Sequence, residues 1–263
     1  MTDALPFTKP GVAIVTGASS GIGRAAAISL YQAGWSCVLS GRRDVELQET
    51  ARRMEAAGLA SDSQASICCV CGDLTARGEI ERLFNETVKT FGRIDLLFNN
   101  AGVGNAKVAM EDIPFEDFQS LLQINVAVPF RCTQLAIKQM KAQVPMGGRI
   151  INNGSVSSVT PRPLSAPYTL SKHAITGLTK STALDGRQHN IACTQLDIGN
   201  AQSVMSDSKT GGVLQADGSL RPEPVMDVRY AGHAVAYLAS LPLDVNVLNQ
   251  TIMATTMPFV GRG

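Results

Sequence analysis

Residues 11–23 read GVAIVTGASSGIG, an apolar run that passes directly into a cluster of glycines. The run from Val12 to Thr16 predicts a buried β-strand, and helical spacing begins at Ile22. Glycines permit a tight turn and a close approach of the backbone to a ligand. The first turn of a helix offers N–H groups and the positive end of its dipole to a phosphate. Strand, glycine loop and helix in this order predict a dinucleotide-binding unit.

The rest of the chain repeats this alternation of apolar runs and helical stretches. Glycine or proline punctuates several predicted helix ends, as at Gly34, Gly92 and Pro167. The pattern predicts an α/β fold in one domain, residues 1–263, with a doubly wound, mainly parallel seven-stranded sheet and helices on both faces. The predicted strands are 12–16, 37–40, 66–71, 94–98, 149–153, 191–196 and 251–254, and the predicted helices are 22–33, 45–57, 79–91, 115–143, 167–185 and 228–240.

Composition excludes several classes of function. Lysine and arginine total 23 against 22 acidic residues, so no basic surface for nucleic acid or for an anionic membrane is expected. No apolar stretch is long enough to span a bilayer, and the N-terminus lacks the pattern of a signal peptide. We therefore expect a cytoplasmic protein that binds neither nucleic acid nor membrane.

The six cysteines are expected to be thiols, because disulfides are rare in the cytoplasm. Cys68 and Cys71 form a single CxxC within an apolar run. A zinc site would need a second pair or histidines at ligand spacing. We interpret the run as a core strand and expect no metal.

The end of the second predicted strand bears on the choice between NAD and NADP. An acidic residue near this point would bind the ribose 2′-hydroxyl of NAD. Here Arg42 and Arg43 stand instead, and a guanidinium suits a phosphate. The sequence therefore predicts NADP(H) as the preferred cofactor and NAD(H) as the second choice. The alternative is that both arginines are solvated residues at a helix start.

Tyr168 and Lys172 lie one turn apart on a predicted helix. A free tyrosine has a pKa of about 10, and a nearby ammonium favours its charged form. The pair suits a proton shuttle, although a tyrosine and a lysine at this spacing are more often an ordinary surface pair.

The joint motif set resembles the short-chain dehydrogenases/reductases over residues 11–254. It comprises TGxxxGxG at 16–23, NNAG at 99–102, Asn125, Ser155 and YxxxK at 168–172. The resemblance implies a Rossmann fold, with Tyr168 as general acid/base and Lys172 on the nicotinamide ribose. It also implies that Ser155 binds the substrate oxygen and that Asn125 holds a water in a proton relay. Ser157 and Ser158 compete for the role of Ser155.

The resemblance and the glycine loop together give the cofactor contacts. Asp73 and Leu74 would meet the adenine, and residues 99–102 would lie beside the adenosine ribose. The predicted contacts are Gly17, Ser19, Ser20, Gly21, Ile22, Gly23, Arg42, Arg43, Asp73, Leu74, Asn100, Ala101, Gly102, Tyr168, Lys172, Gly199 and Ser203.

The segment after the sixth strand departs from the family pattern. Ile198 replaces the usual proline, Gly199 is retained, and Ser203 stands at the position of a carboxamide-binding threonine. Asp197 has no counterpart, and we interpret it as a turn or helix-cap carboxylate. Asp217 and Gly218 predict a hairpin in residues 201–227. The resemblance implies that this region covers the substrate; a disordered loop is the alternative.

The sequence therefore predicts an NADP-preferring oxidoreductase that acts on a small-molecule carbonyl or secondary alcohol. Two alternatives are a 3-hydroxy acid dehydrogenase-like activity, from a short similarity near the C-terminus, and a catalytically silent NADP-binding regulatory protein. By resemblance alone, we expect a homo-oligomer, a tetramer or a dimer, that pairs residues 115–143 and 167–185 between subunits.

Overall fold

Successive side chains of the first strand reach two different hydrophobic cores. The computed structural model describes residues 10–59, 64–202 and 212–260. The strands are β1 (Val12–Thr16), β2 (Ser36–Gly41), β3 (Ile67–Cys71), β4 (Leu96–Asn99), β5 (Gly148–Asn153), β6 (Ile191–Ile198), β7 (Val213–Leu214), β8 (Leu220–Arg221) and β9 (Asn249–Ile252).

The large sheet has seven parallel strands in the order β3-β2-β1-β4-β5-β6-β9. The chain leaves β3 at one edge and returns beside β1 as β4, so the strand order reverses between β1 and β4. Ligands of such sheets bind beyond the carboxyl ends of the strands at this reversal. The predicted doubly wound Rossmann-type α/β fold is confirmed.

Helices cover both faces of the sheet. They are α1 (Gly21–Gln32), α2 (Asp44–Ala57), α3 (Glu79–Phe91), α4 (Phe115–Leu122), α5 (Val128–Ala142), α6 (Ala166–Gly186) and α7 (Arg229–Ser240). Ala13 and Val15 pack in the core that includes residues of α1, α2 and α7, whereas Val12 and Ile14 pack in the core that includes residues of α3 and α5. All five residues of β1 are buried, so both faces of this strand are covered.

The prediction of one helix over residues 115–143 is wrong in detail. A π-helical turn, Gln123–Ala127, separates α4 from α5. Pro129, the second residue of α5, has no N–H to continue the α-helical ladder back to residue 125. Such turns often lie at functional sites.

The last strand and Asp197 also require correction. β9 begins two residues before the predicted run, because an edge strand tolerates exposed polar side chains such as Asn249. Asp197 lies inside β6 and is 1% exposed, so it is neither a turn nor a helix cap.

Candidate active site

The glycine loop joins β1 to α1 with no room for larger side chains. Gly17 has φ of +66°, a conformation that favours glycine. A Cβ on Gly23 would lie 2.2 Å from the carbonyl oxygen of Gly17. Ser20 precedes α1 without a side-chain cap hydrogen bond, and the first turn holds no acidic residue. The positive end of α1 is therefore suited to an anion.

The two predicted arginines lie beside this loop. Arg43 Nη2 donates to the hydroxyl oxygens of Ser19 at 3.1 Å and Ser20 at 2.9 Å. Arg42 is exposed at the end of β2. Both line a cavity of about 670 Å³ together with Gly17 and Asp73. The structure thus brings the glycine loop and both guanidinium groups to one cleft.

The floor of the cleft is fixed by hydrogen bonds from β4. Thr16 Oγ1 accepts the backbone N–H groups of Asn100 at 2.9 Å and Ala101 at 3.0 Å. Asn100 Nδ2 donates to the carbonyl oxygen of Thr16 at 2.9 Å, and its Oδ1 accepts from Asn153 at 2.8 Å. Ala101 and Gly102 line the cleft, and the Asn100 side chain holds the loop after β4 against β1 and β5.

Asp73 and Leu74 line the same cleft beyond β3. Asp73 Oδ1 accepts the backbone N–H and the hydroxyl of Thr75, at 2.9 and 2.7 Å. These bonds lower the pKa of the Asp73 carboxyl, since both stabilise its charged form. Leu74 is buried. Asp73 orders the turn, and its predicted contact with adenine stays a prediction.

Tyr168 and Lys172 occupy one side of the N-terminal part of α6. Lys172 is 8% exposed, and its Nζ donates to the carbonyl oxygen of Asn153 at 2.7 Å. The same nitrogen lies 5.5 Å from the centre of the Tyr168 ring. Tyr168 itself is half-buried. The bond to the end of β5 thus holds the ammonium near the tyrosine ring. An ordinary surface pair would have an exposed lysine without such a bond.

Ser155 follows β5 and is buried. Its Oγ accepts the backbone N–H of Ser157 at 3.1 Å, which leaves the hydroxyl proton to be donated elsewhere. Ser158 Oγ instead donates to Asp197 at 2.9 Å. This arrangement favours Ser155 over Ser158 as the group that meets a substrate oxygen.

Asn125 lies in the π-helical turn and contacts the loop after β4. Its amide accepts from the Val103 N–H and donates to the Val103 carbonyl oxygen, both at 2.9 Å. It also donates to the hydroxyl of Ser171 at 3.2 Å, next to Lys172 in α6. The residue is therefore brought to the predicted region, and its water-relay role stays a prediction.

The segment after β6 approaches the C-terminal part of the chain closely. A Cβ on Gly199 would lie 2.5 Å from the Cβ of Met253, so only glycine fits there without a shift. Ser203 lies outside the described residues, and so does the contact predicted for it.

A short antiparallel hairpin, β7 and β8, follows as the Asp-Gly pair predicts. Gly218 has φ of +81° in its turn. Glu223, after the hairpin, is 1% exposed and pairs with Arg162 at 2.7 Å, while Asn200 donates to the same carboxylate at 2.7 Å. These contacts attach the hairpin to the loop after β5.

A second cavity of about 610 Å³ adjoins the cleft. The two share Val108 and Ile113. Its wall is mainly apolar, with Met110, Leu164 and Leu170 beside Arg162. A pocket of this size and lining is typical of a small-molecule site.

Sequence reasoning missed Asn153 and the buried role of Asp197. Both are polar residues at the carboxyl ends of central strands, β5 and β6. That position in a parallel sheet was the available signal.

The described ranges hold neither a cluster of metal ligands nor a helix that could cross a bilayer. Between residues 10 and 260, leaving out 60–63 and 203–211, no three metal-ligating side chains cluster together. Nor does any helix of those ranges have the length and apolarity to cross a bilayer. Cys68 and Cys71 lie on β3, half-buried and free of disulfides.

Comparison with known proteins adds independent information. The sequence profile of the family described as short chain dehydrogenase matches residues 11–212. The uncharacterized oxidoreductase YohF of Escherichia coli (strain K12) is 34% identical over 230 residues, which cover 86% of each chain. A 3beta-hydroxysteroid dehydrogenase of Mediterraneibacter gnavus is 33% identical over 70% of this chain, and the match spans 64% of that relative's length.

Solved structures agree with this assignment. The acetoin dehydrogenase YohF from Salmonella typhimurium superimposes with a TM-score of 0.77 at 30% identity, covering 92% of this chain and 94% of that one. A metagenomic short-chain oxidoreductase in complex with NADP gives 0.75 at 26% identity, covering 92% and 96%. The chain therefore belongs to the short-chain dehydrogenases/reductases, and it is an NAD(P)-dependent oxidoreductase.

Proposed function

We propose that this enzyme is an NADP-preferring oxidoreductase that interconverts a carbonyl compound and a secondary alcohol, with Tyr168 as general acid/base. The observation that carries the proposal is the buried Lys172 ammonium, anchored at 2.7 Å to the end of β5 and 5.5 Å from the Tyr168 ring. Burying a lysine is costly unless its charge is bonded or used. Here its nitrogen lies 5.5 Å from the centre of the Tyr168 ring, and Pro167, the residue before Tyr168, lines the cleft.

The cleft fits a dinucleotide cofactor. The glycines of the loop leave no room for a Cβ, and the start of α1 has no side-chain cap. The backbone N–H groups there would bind the pyrophosphate. Arg43, above Ser19 and Ser20, would bind the 2′-phosphate of NADP, with Arg42 beside it. Lys172 would bind the nicotinamide ribose. When bound, the cofactor supplies or accepts the hydride.

The chain's own residues would manage the proton and the charge on the substrate oxygen. Ser155 and Tyr168 donate hydroxyl hydrogen bonds to that oxygen, which becomes more negative during reduction. Tyr168 then transfers its proton, and the Lys172 ammonium stabilises the phenolate that remains. Asn125, bonded to Ser171 in α6, would position the water that returns a proton toward Lys172.

The adjoining apolar cavity would take the body of the substrate, and the β7–β8 hairpin would cover it. A 3-hydroxy acid, the runner-up substrate, would need a cation facing its carboxylate. Arg162 lines the cavity but is already ion-paired with Glu223. Uncharged ketones and secondary alcohols are therefore the substrates we expect first.

A spectrophotometric screen tests this function. Purified enzyme is mixed with NADPH and a panel of ketones, aldehydes and 3-oxo acids, and with NADP and the matching alcohols. We expect turnover of at least one uncharged carbonyl, faster with NADPH than with NADH. NADPH binding without turnover of any panel member would instead support the silent regulatory protein.

The cytoplasmic location and the homo-oligomeric state, a tetramer or a dimer, stay predictions. Small-angle scattering or analytical ultracentrifugation would measure the second.

A further inference from the structure

Asp197 is a buried carboxylate directly beside the segment that carries Ser155. Its Oδ1 accepts three hydrogen bonds: the backbone N–H of Ser155 at 2.8 Å, the Ser158 hydroxyl at 2.9 Å and Gln195 Nε2 at 2.8 Å. Its Oδ2 accepts from Asn249 Nδ2 at 2.8 Å. We propose that Asp197 is a positioning residue, which fixes the segment 154–158 and so orients the Ser155 hydroxyl. The inference rests on the proposed role of Ser155.

The charge of this carboxylate is not balanced by a cation. None of the ion pairs among residues 10–59, 64–202 and 212–260 includes Asp197. Burying a carboxylate without a cation is costly unless several hydrogen bonds satisfy it. An apolar side chain would serve packing in β6 at lower cost. The four hydrogen bonds therefore indicate that Asp197 positions the residues that donate them.

Gly154 provides the space for this contact. A Cβ at position 154 would lie 2.1 Å from Asp197 Oδ1, so any other residue would push the carboxylate off the Ser155 N–H. Gly154 N–H also bonds to the carbonyl oxygen of Leu196 in β6 at 2.9 Å. The chain after β5 is thus attached to β6 at two consecutive peptide groups.

Ser155 is held from two sides as a result. Its backbone is extended, with φ of −169° and ψ of 156°, and its N–H points to Asp197. Its Oγ accepts from the Ser157 N–H, whose own turn is tied to Asp197 through Ser158. Loss of the carboxylate would remove the acceptor of the Ser155 N–H and of the Ser158 hydroxyl. The Ser155 side chain itself would be unchanged.

Two substitutions of Asp197 separate position from charge. In Asp197→Asn, the amide oxygen can keep the three bonds of Oδ1, and the new NH₂ group can donate to Asn249 after that exposed side chain turns over. In Asp197→Ala, all four donors lose their acceptor. Positioning predicts that Asn recovers most of the wild-type kcat and that Ala does not.

A double-mutant cycle with Ser155→Ala tests whether Asp197 acts through the serine. We expect Ser155→Ala to lower kcat by about 10²–10³-fold, as for loss of one donor to a developing oxyanion. Asp197→Ala should lower kcat by at least about tenfold with the Kd for NADPH unchanged. The double variant should lose no more than Ser155→Ala alone. Losses that multiply would overturn the proposal.

Hydrogen exchange gives a readout that does not need turnover. Amide exchange in residues 154–158 should accelerate in Asp197→Ala and stay near wild type in Asp197→Asn. Asn246→Ala is the matched control, because Asn246 bonds to the Cys193 carbonyl oxygen at 3.0 Å, nearer the other end of β6; it should change neither exchange there nor kcat. Unaltered exchange in Asp197→Ala would contradict the proposal. If the wild-type enzyme turns over no carbonyl, the proposed function is wrong. The exchange data still test whether Asp197 fixes residues 154–158.

Discussion

Replacing Arg43 by alanine should weaken the binding of NADPH more than that of NADH. The guanidinium lies at 2.9 Å from Ser20 Oγ and 3.1 Å from Ser19 Oγ, over the start of the glycine loop. On the proposed function, the 2′-phosphate of NADP would bind at this guanidinium. NADH carries a hydroxyl there and gains nothing from the positive charge.

The size of the effect follows from the exposure of the arginine. A hydrogen bond to a charged group contributes about 1.5–3 kcal/mol when sheltered. The Arg43 side chain is 50% exposed and lies 3.9 Å from Glu46, so solvent screening reduces this value. We expect a loss of about 1–1.4 kcal/mol, which corresponds to a roughly five- to tenfold rise in the Kd for NADPH.

Fluorescence titration of both cofactors measures this loss directly. The series comprises wild type, Arg43→Ala, Arg42→Ala and the control Arg52→Ala, which removes an exposed arginine of α2 that pairs with Glu49. The ratio of the Kd for NADH to that for NADPH should fall in the first two variants and stay constant in the control. An unchanged ratio in both Arg42→Ala and Arg43→Ala would refute the assignment of NADP preference to these residues.

Three further predictions concern the loop, the hairpin and acid stability. Gly23→Ala would place a Cβ 2.2 Å from a backbone oxygen of the glycine loop, and we expect the Kd for NADPH to rise by more than about tenfold; a wild-type Kd by titration would contradict the close packing. Glu223→Gln breaks a 2.7 Å ion pair with Arg162, in which the glutamate is 1% exposed. The free energy of unfolding, measured in urea, should fall by about 3 kcal/mol, and a loss below about 1 kcal/mol would contradict a tight attachment of the hairpin. The hydrogen bonds from Thr75 lower the pKa of Asp73, so the ionised carboxyl stabilises the fold above its unfolded pKa, and this stabilisation is lost as the pH falls through the folded pKa. Asp73→Asn should therefore flatten the fall of Tm below about pH 4. The same dependence of Tm on pH in the variant and the wild type would count against this prediction.

The fold was predictable because local and long-range signals agree. The run 12–16, the glycines at the βα turn and the regular alternation each favour a parallel sheet, and each of the seven predicted runs overlaps a strand of the observed sheet. Buried central strands give continuous apolar runs, which sequence patterns detect well. The edge strand β9, with the sequence NQTI, lacks such a run, and its start was therefore misplaced.

The interruption at Gln123–Ala127 could not be found from periodicity. The π-helical turn joins α4 to α5 without a gap in the chain, so the two helices are predicted as one element. Pro129 was the local warning, since a proline inside a helical pattern removes one backbone hydrogen bond.

The site was predictable as a set of residue types and only partly as geometry. The Tyr168–Lys172 spacing indicates one face of a helix, but nothing in the sequence reveals that Lys172 bonds to the Asn153 carbonyl oxygen. Asp197 has no counterpart in the family pattern, so the sequence favours a turn or helix-cap carboxylate, whereas the residue lies in a buried strand. Its four donors come from positions 155, 158, 195 and 249, and such a long-range cluster exists only in the folded chain.

The most direct test of the central claim is single-turnover oxidation of NADPH by Tyr168→Phe, measured beside its affinity for NADPH. Phenylalanine keeps the ring next to Lys172 and removes only the hydroxyl. The account predicts a rate lowered by about 10²–10⁴-fold, the usual contribution of a general acid, with the Kd for NADPH within about threefold of wild type. A rate within tenfold of wild type would show that the proton reaches the substrate by another path.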